Sequence, residues 1–412
     1  MLRLAPENCF YIGEYIMENT KIKTSEKEVV GVDLHADQFT AALLTGDAAA
    51  EAERQWTHHA VDNSQWEQWL KHSVPRNAVL VMEAGSNSFE FASAAEKAGY
   101  KAVVLESERI GQLSKSYCKT DKVDAVKLAR IYLSGLAPEV WQPDALTRQR
   151  RELCSAYNRA VTDATRSTNR LKNYLTAHGI RLSKKKLNSE NTRAWISSAY
   201  NWSPLQQEVL EGMFSDFDHA HHRRAELHKT INREALNCPE ARTLMSLCGI
   251  RARTAFEMVA VIGDIRRFSN AKKLVAYIGL NPTVNESGKT VKGGRVRKRG
   301  CKPLRAKLIQ AAKSFMNAKN NGDNPVKKWG LKMKMSKGAN KAVAAVARKL
   351  VVAAWYLLNG AMPKNLTTEE QIRRKLKKLT EEMTAKGVKA MGYRNASELI
   401  EEHLQCFSLL TT

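Results

Sequence analysis

Residues 78–82 read Ala-Val-Leu-Val-Met and close on an acid, Glu83. A short, continuous apolar run ended by a charge reads as a buried strand. Similar runs flank it: Val29-Val30-Gly31-Val32 ending in Asp33, Phe39 to Leu44, Arg54 to His58, and Lys101 to Leu105 ending in Glu106. Helical patterns over residues 64–71 and 88–99 fall between them. Short strands separated by helices make an α/β sheet.

After Asp121 the pattern turns helical. One helix runs to Leu133 and is closed by Gly135 and Pro138. A longer one spans residues 146–178, with apolar residues at three-to-four spacing. A second long helix opens at Ser203-Pro204-Leu205-Gln206, where a capping Ser, a first-turn Pro and a Gln three residues on form a start signal. The pair predicts an antiparallel helical arm. From Pro239 a mainly α module follows, with helices expected over 254–262, 270–277, 303–318 and 339–358 and a Gly-rich basic stretch up to Arg299. Within it Leu247-Cys248-Gly249-Ile250-Arg251 reads either as a hairpin turn that offers backbone N–H groups to phosphate or as plain helix packing. The expected division is a leader 1–27, an α/β domain 28–145, an arm 146–236, a third domain 237–362, and a charged helical tail 363–412 forming a peripheral appendage.

Charge separates these parts. Residues 1–150 carry 17 basic and 21 acidic side chains, and residues 151–412 carry 49 and 21, a net of +28 within the whole chain's +24. Such an excess on one part points to a polyanionic partner, with anionic membrane as the competing reading. The most apolar stretch, from Ala342 to Met362, is interrupted by Arg348 and Lys349, so it reads as a buried helix rather than a membrane span. The seven cysteines are scattered without a CxxC pair, which gives neither a disulfide framework nor a zinc site and fits a reducing cytoplasm.

Four acids stand out by position. Asp33 and Glu83 end strands; Asp121 and Asp124, three apart at a helix start, share a face. Hard divalent cations need several carboxylate oxygens, and such a set can stabilise both attacking and leaving oxygens at phosphorus. Against this, the helical pair could simply favour a helix N-terminus, and Asp33 could cap its strand. Glu83 resists that reading, because a carboxylate closing a buried strand must find a partner or a metal. Farther on, residues 287–322 contain no acid, and Lys289, Lys292, Arg295, Arg297, Lys298, Arg299, Lys302, Arg305 and Lys307 lie close together. Such cation density fits phosphate contacts. Ser287 heads this stretch in Glu286-Ser287-Gly288, either as a turn residue or as a nucleophile whose developing charge the cations stabilise.

Asp33, Glu83 and Lys119-Thr120-Asp121-Lys122-Val123-Asp124-Ala125 resemble the DEDD-type insertion-sequence transposases, relatives of Piv-like DNA invertases. So do Gly263-Asp264-Ile265-Arg266-Arg267-Phe268, Tyr277-Ile278-Gly279-Leu280-Asn281-Pro282, Glu286-Ser287-Gly288 and Lys298-Arg299-Gly300. The resemblance covers about residues 28–320. It implies an RNase H-like (RuvC-like) N-terminal domain, a helical coiled-coil arm and a mainly α C-terminal transposase domain. It implies that Asp33, Glu83, Asp121 and Asp124 bind Mg2+, with Mn2+ as a substitute, and that Ser287 attacks DNA to form a transient phosphoserine link. Donor and target DNA, a structured bridge RNA and further copies of the chain in a dimer or tetramer are the implied partners, in a bacterial cytoplasm and without a membrane. The chain departs from the common pattern in its leader, its tail and Cys301-Lys302-Pro303 after the Arg-Gly. Two other readings stand beside this one. A metal-dependent nuclease or junction resolvase would use the four acids with water as nucleophile; a non-catalytic nucleic-acid-binding protein would need none of them.

Overall fold

A computed structural model describes residues 28–45, 54–113, 121–287, 290–296, 300–318, 324–361 and 367–408; the expected leader lies outside them. The chain divides into two compact units, one reaching Gln142 and the other starting at Pro143. It is mostly helical, with one mixed sheet in the first unit.

In the first unit the strands are β1 (Glu28–Leu34), β2 (Gln38–Thr45), β3 (Arg54–Asp62), β4 (Val79–Glu83) and β5 (Lys101–Leu105). The helices are α1 (Trp66–Ser73), α2 (Ser88–Lys97), α3 (Ser107–Leu113) and α4 (Asp121–Leu133). The strand order is β3-β2-β1-β4-β5. β1, β2 and β3 pair antiparallel through short connections, whereas β1–β4 and β4–β5 are parallel. A parallel pair cannot be joined by a tight turn, so α2 carries the chain from β4 to β5.

Side-chain alternation fixes the two faces. Val30, Val32, Leu80 and Met82 pack with Trp69, Leu70, Phe91 and Ala92. Val29, Val79, Val81 and Val103 pack with Ala125, Leu128, Ala129 and Tyr132 of α4. Helices therefore cover both faces, which is why these strands read as continuous apolar runs instead of alternating ones. Gly31 permits the closest approach: a Cβ there would lie 1.9 Å from the Ala125 carbonyl oxygen and 3.0 Å from the Ala129 nitrogen. An isolated glycine inside a strand pattern signals such a contact.

The second unit opens with α5 (Ala145–Ala177), α6 (Lys184–Leu187), α7 (Glu190–Ala199) and α8 (Pro204–Asn237). α5 and α8 run antiparallel: Tyr174 Oη donates to the Gln206 carbonyl (3.1 Å), Thr168 Oγ1 lies 3.0 Å from His221 Nε2, and the Tyr157 and His228 rings are 5.8 Å apart. Asp144 caps α5 by accepting from the Thr147 N–H at 2.7 Å. The expected capping box at Ser203 and Gln206 is present. Leu171, Leu175, Ile180, Leu187, Ile196, Leu210 and Phe217 give the far end of this helical pair its own core.

The remainder comprises α9 (Pro239–Met245), α10 (Ala252–Ile262), α11 (Ala271–Ile278), β6 (Pro282–Ser287), β7 (Thr290–Val296), α12 (Lys302–Asn317), α13 (Pro325–Lys337), α14 (Ala339–Leu358), α15 (Glu369–Ala390) and α16 (Ala396–Ser408). Its core joins Phe256, Met258, Leu274, Leu308, Phe315, Val346 and Leu350. The Gly-rich basic stretch contains an antiparallel two-stranded ribbon.

The tail is no appendage. Ile372, Leu376, Leu379, Met383 and Val388 of α15, with Leu399 and Leu404 of α16, enter the same core. Each fully buried Leu or Ile contributes on the order of 1.5–3 kcal/mol, so detaching α15 would expose a stripe worth several such side chains. Lys375 Nζ donates to the carbonyls of Met245 (2.6 Å) and Leu247 (2.8 Å), and Thr367 donates through its N–H and its hydroxyl to the Ser246 carbonyl, both at 2.7 Å. The turn between α9 and α10 is thus occupied by the chain itself, and Leu247 and Ile250 are fully buried. The carbonyl side of this turn is thus used in helix packing. Among the described residues no helix is long and apolar enough to cross a membrane.

Candidate functional site

The last registered pair between β1 and β4 is Val32 with Met82. Asp33 and Glu83 each follow by one residue, so the two carboxylates leave adjacent parallel strands at the same level. By alternation they lie on the face that α4 covers, together with Val29, Gly31, Val79 and Val81. The Gly31–Ala125 contact sets α4 directly against β1, and Asp124 is the residue before Ala125. Asp121 begins the same helix, one turn earlier; its side chain lies outside the described residues. β1 is also where the sheet changes from antiparallel to parallel pairing, the kind of position at which open α/β sheets hold ligands beyond the carboxyl ends of their strands.

Local bonds hold these strand ends. The Ala84 N–H donates to the Leu105 carbonyl (2.9 Å), and Ser107 Oγ donates to the Ala84 carbonyl (2.6 Å), tying the segment after Glu83 to β5. Asn87 Nδ2 donates to the His35 carbonyl (2.7 Å), tying it to the β1–β2 turn. His35 is exposed, with Nε2 3.4 Å from Asp33 Oδ2, and Lys127 Nζ lies 3.2 Å from Asp124 Oδ1. Glu83 is exposed, so the burial argument for it fails: water solvates this carboxylate without a metal. Among the described residues no three Asp, Glu, His or Cys side chains already converge as ligands. The donor chemistry nevertheless suits a hard divalent cation, because all four groups are carboxylates. The half-buried Lys127 ammonium beside Asp124 is a cation that a divalent ion could replace.

Ser287 belongs to the second unit. It is the last registered residue of β6, opposite Thr290, at the end of the ribbon away from its base. The base is clamped: Gly300 has φ +90°, and a Cβ there would lie 2.6 Å from the Tyr277 carbonyl oxygen and 2.8 Å from the Gly279 nitrogen. The Tyr277–Pro282 and Arg-Gly motifs therefore meet where the ribbon leaves the core. Arg267 braces this base, with its guanidinium 4.4 Å from the Tyr277 ring centre and Nε donating to the Ile262 carbonyl at 2.9 Å.

The expected phosphate contacts distribute unevenly. Lys292 and Arg295 lie on β7, whereas Lys289, Arg297, Lys298 and Arg299 fall outside the described residues, as do the side chains of Ser287, Lys292 and Arg295. Arg305 is half-buried on α12. Lys307 turns inward to the buried Glu257 carboxylate and donates to Asn158 Oδ1 (2.8 Å), so it is structural. Its partners Asn158 and Glu257 line a cleft of about 620 Å³ together with Arg151, Arg159, Arg166, Tyr277 and Cys301. Burial pushes the Cys154 thiol up to about 12 and also raises Cys301, so neither is a ready nucleophile. The cleft arginines come from the helical pair and carried no motif.

Two family profiles match the chain. A transposase profile of the DEDD type of IS110 covers residues 30–180, the span of the sheet, the acids and α5. A profile of the IS116/IS110/IS902 transposase family covers residues 241–327, the span of the ribbon and Ser287. The chain is similar to the transposase for insertion sequence element IS1111A of Coxiella burnetii, 24% identical over 58% of this chain and 66% of the relative. It is also similar to the pilin gene-inverting protein of Moraxella lacunata, 24% identical over 82% of this chain and 97% of the relative. The transposase for insertion sequence element IS1533 of Leptospira borgpetersenii is 23% identical over 60% and 72%. With both kinds of transposase domain on one chain, the protein is an insertion-sequence transposase of the IS110/IS116/IS902 family.

Proposed function

We propose that this transposase cuts and rejoins DNA through a serine-linked intermediate, with Asp33, Glu83, Asp121 and Asp124 forming its metal site. The observation that carries the reading is the pair of carboxylates leaving β1 and β4 at one level on the face crossed by α4. The strand order and pairing support an RNase H-like, RuvC-like domain over residues 28–145. The antiparallel helices support a coiled-coil arm over 146–236, and the helices around the ribbon support a transposase domain over 237–362.

Bound Mg2+, or Mn2+ in its place, would supply positive charge at the phosphate and its leaving oxygen. Ser287 Oγ attacks phosphorus as one P–O bond of the strand breaks, the proton lost by the serine being balanced by the one the leaving oxygen takes up. A freed strand hydroxyl then attacks the phosphoserine of a new partner, the Oγ–P bond breaks, and the serine regains its proton. Lys289, Lys292, Arg295, Arg297, Lys298, Arg299 and Arg305 hold the phosphates near the serine. The inversion activity in the name of the Moraxella relative supports recombination rather than degradation. Donor and target DNA are the substrates, a structured bridge RNA supplies the sequence choice, and a homo-oligomer assembles the site in the bacterial cytoplasm.

The nuclease reading is favoured by one fact: the four acids lie in one compact unit and Ser287 in the other. Asp33→Asn and Glu83→Gln test the acid assignment. Each is expected to abolish metal-dependent strand cleavage while leaving DNA affinity within about twofold, since only a metal ligand is lost. Unchanged cleavage in both variants would reject the metal site.

A further inference from the structure

A second acid-free stretch begins at the end of the segment matched by the second family profile and runs well beyond it. Residues 324–368 contain no Asp or Glu, and nine Lys or Arg. Most of these cations fall on the hairpin of α13 and α14, joined at Gly338 with φ +86°. The hairpin is held tightly. Asn324 caps α13 by accepting from the N–H groups of Val326 (3.0 Å) and Lys327 (3.4 Å). Gly330 lets the helices close, since a Cβ there would lie 2.6 Å from Val346 Cγ2. Trp329 and Met333 pack inward on the core.

The outer surface is different. Lys332, Lys334, Lys337, Lys341 and Arg348 are exposed, and among the described residues none of them has a carboxylate partner. Met335 stands among them 89% exposed. The neighbouring tail shows what an ordinary solvated surface of this chain looks like: Arg373 pairs with Glu369 and Glu401, Arg374 with Glu370, and Arg394 with Glu398. On the hairpin the spacing from Lys334 to Lys337, three residues along one helix, sets like charges on one face, which costs stability in an isolated protein. Unneutralised cations on a rigid, tightly packed support suit a fixed array of phosphates. An exposed methionine beside them suits the wall of a groove, where apolar side chains meet sugars and base edges.

We propose that the tip of the α13–α14 hairpin, through Lys332, Lys334, Lys337 and Lys341, is a docking surface for the backbone of duplex DNA, separate from the ribbon that carries Ser287. The proposal takes only the identity of the polyanion from the reading of the chain as a DNA-rejoining enzyme. The test is binding without cleavage. The full chain and its K332Q/K334Q/K337Q/K341Q variant are titrated, metal-free, against a labelled short DNA duplex over a range of salt concentrations. Each phosphate contact adds about 0.9 to the slope of log affinity against log salt, so the variant should lose a slope of about 3 to 4 and bind more than tenfold more weakly. These side chains are exposed, so circular dichroism and the melting temperature should match the wild type. An unchanged slope and affinity would overturn the proposal, as would a loss seen only with an RNA hairpin or only with anionic lipid vesicles. The assay holds no metal and reads binding alone, so its outcome does not depend on the serine chemistry, and failure of the surface is told apart from failure of the serine reading.

Discussion

Gly31→Ala is a small change with a large expected effect. A Cβ at residue 31 would sit 1.9 Å from the Ala125 carbonyl oxygen, 3.0 Å from the Ala125 carbonyl carbon and 3.0 Å from the Ala129 nitrogen. Ordinary contact begins near 3.4 Å, so α4 must retreat by about 1.5 Å. All three atoms are backbone, and no rotamer change can relieve them. Overpacking a well-packed site costs about 1–3 kcal/mol, and a clash with backbone belongs at the upper end. The retreat would also loosen Ala125, Leu128, Ala129 and Tyr132 from the sheet and shift the start of α4, which carries Asp121 and Asp124, relative to the ends of β1 and β4. A displacement on the order of 1 Å can cost about a hundredfold in rate. The assay is thermal unfolding of the purified chain beside its metal-dependent strand cleavage. Gly212→Ala on α8 is the control, because a Cβ there meets nothing within 4 Å; it should gain roughly 0.5–1 kcal/mol through helix propensity. If Gly31→Ala melted with the wild type and cut DNA at the same rate, the account of how α4 positions its acids would be wrong.

Two further outcomes follow from the second unit. Glu257→Leu should cost about 3–5 kcal/mol, because it strands the Lys307 ammonium in a buried site, and the double change Glu257→Leu/Lys307→Met should recover most of that loss. Chemical denaturation of the three variants measures it, and an equal cost in single and double would show that the pair does not act as a pair. Burial lowers Lys375 from 10.5 to about 7. Between those values the unfolded chain holds a proton that the folded chain has released, so folding stability should rise with pH above about 7, with the penalty present in full below it. Lys375→Met should flatten that rise, and an unchanged pH slope would refute the assignment.

The parts of the structure legible in the sequence were those set by local pattern. The helix over Asp121–Leu133 and the one over Ala339–Leu358 have the expected limits, because turn residues and apolar spacing define them without reference to a partner. Strand-ending acids were visible for the same reason. The ribbon was not: Val284, Val291 and Val296 are its only large apolar residues, so alternation has almost nothing to mark. The tail misled because Glu–Arg pairs at spacing four cover its outer face and hide the stripe of Ile372, Leu376, Leu379 and Met383. Lys307 read as one cation among many, since its partner Glu257 lies fifty residues away in sequence and across the core. The exposure of Glu83 was likewise beyond reach, because whether a strand end meets solvent depends on what the rest of the chain leaves uncovered.

The central claim is that Ser287 becomes joined to DNA during strand exchange. The gene with its native flanking DNA, wild type or Ser287→Ala, is expressed beside a donor–target reporter, quenched rapidly in detergent and analysed for protein covalently attached to DNA ends and for recombinant product. The account predicts an adduct and a product with the wild type and neither with Ser287→Ala. Cleavage or recombination persisting in Ser287→Ala without an adduct would contradict it and leave the four carboxylates acting with water alone.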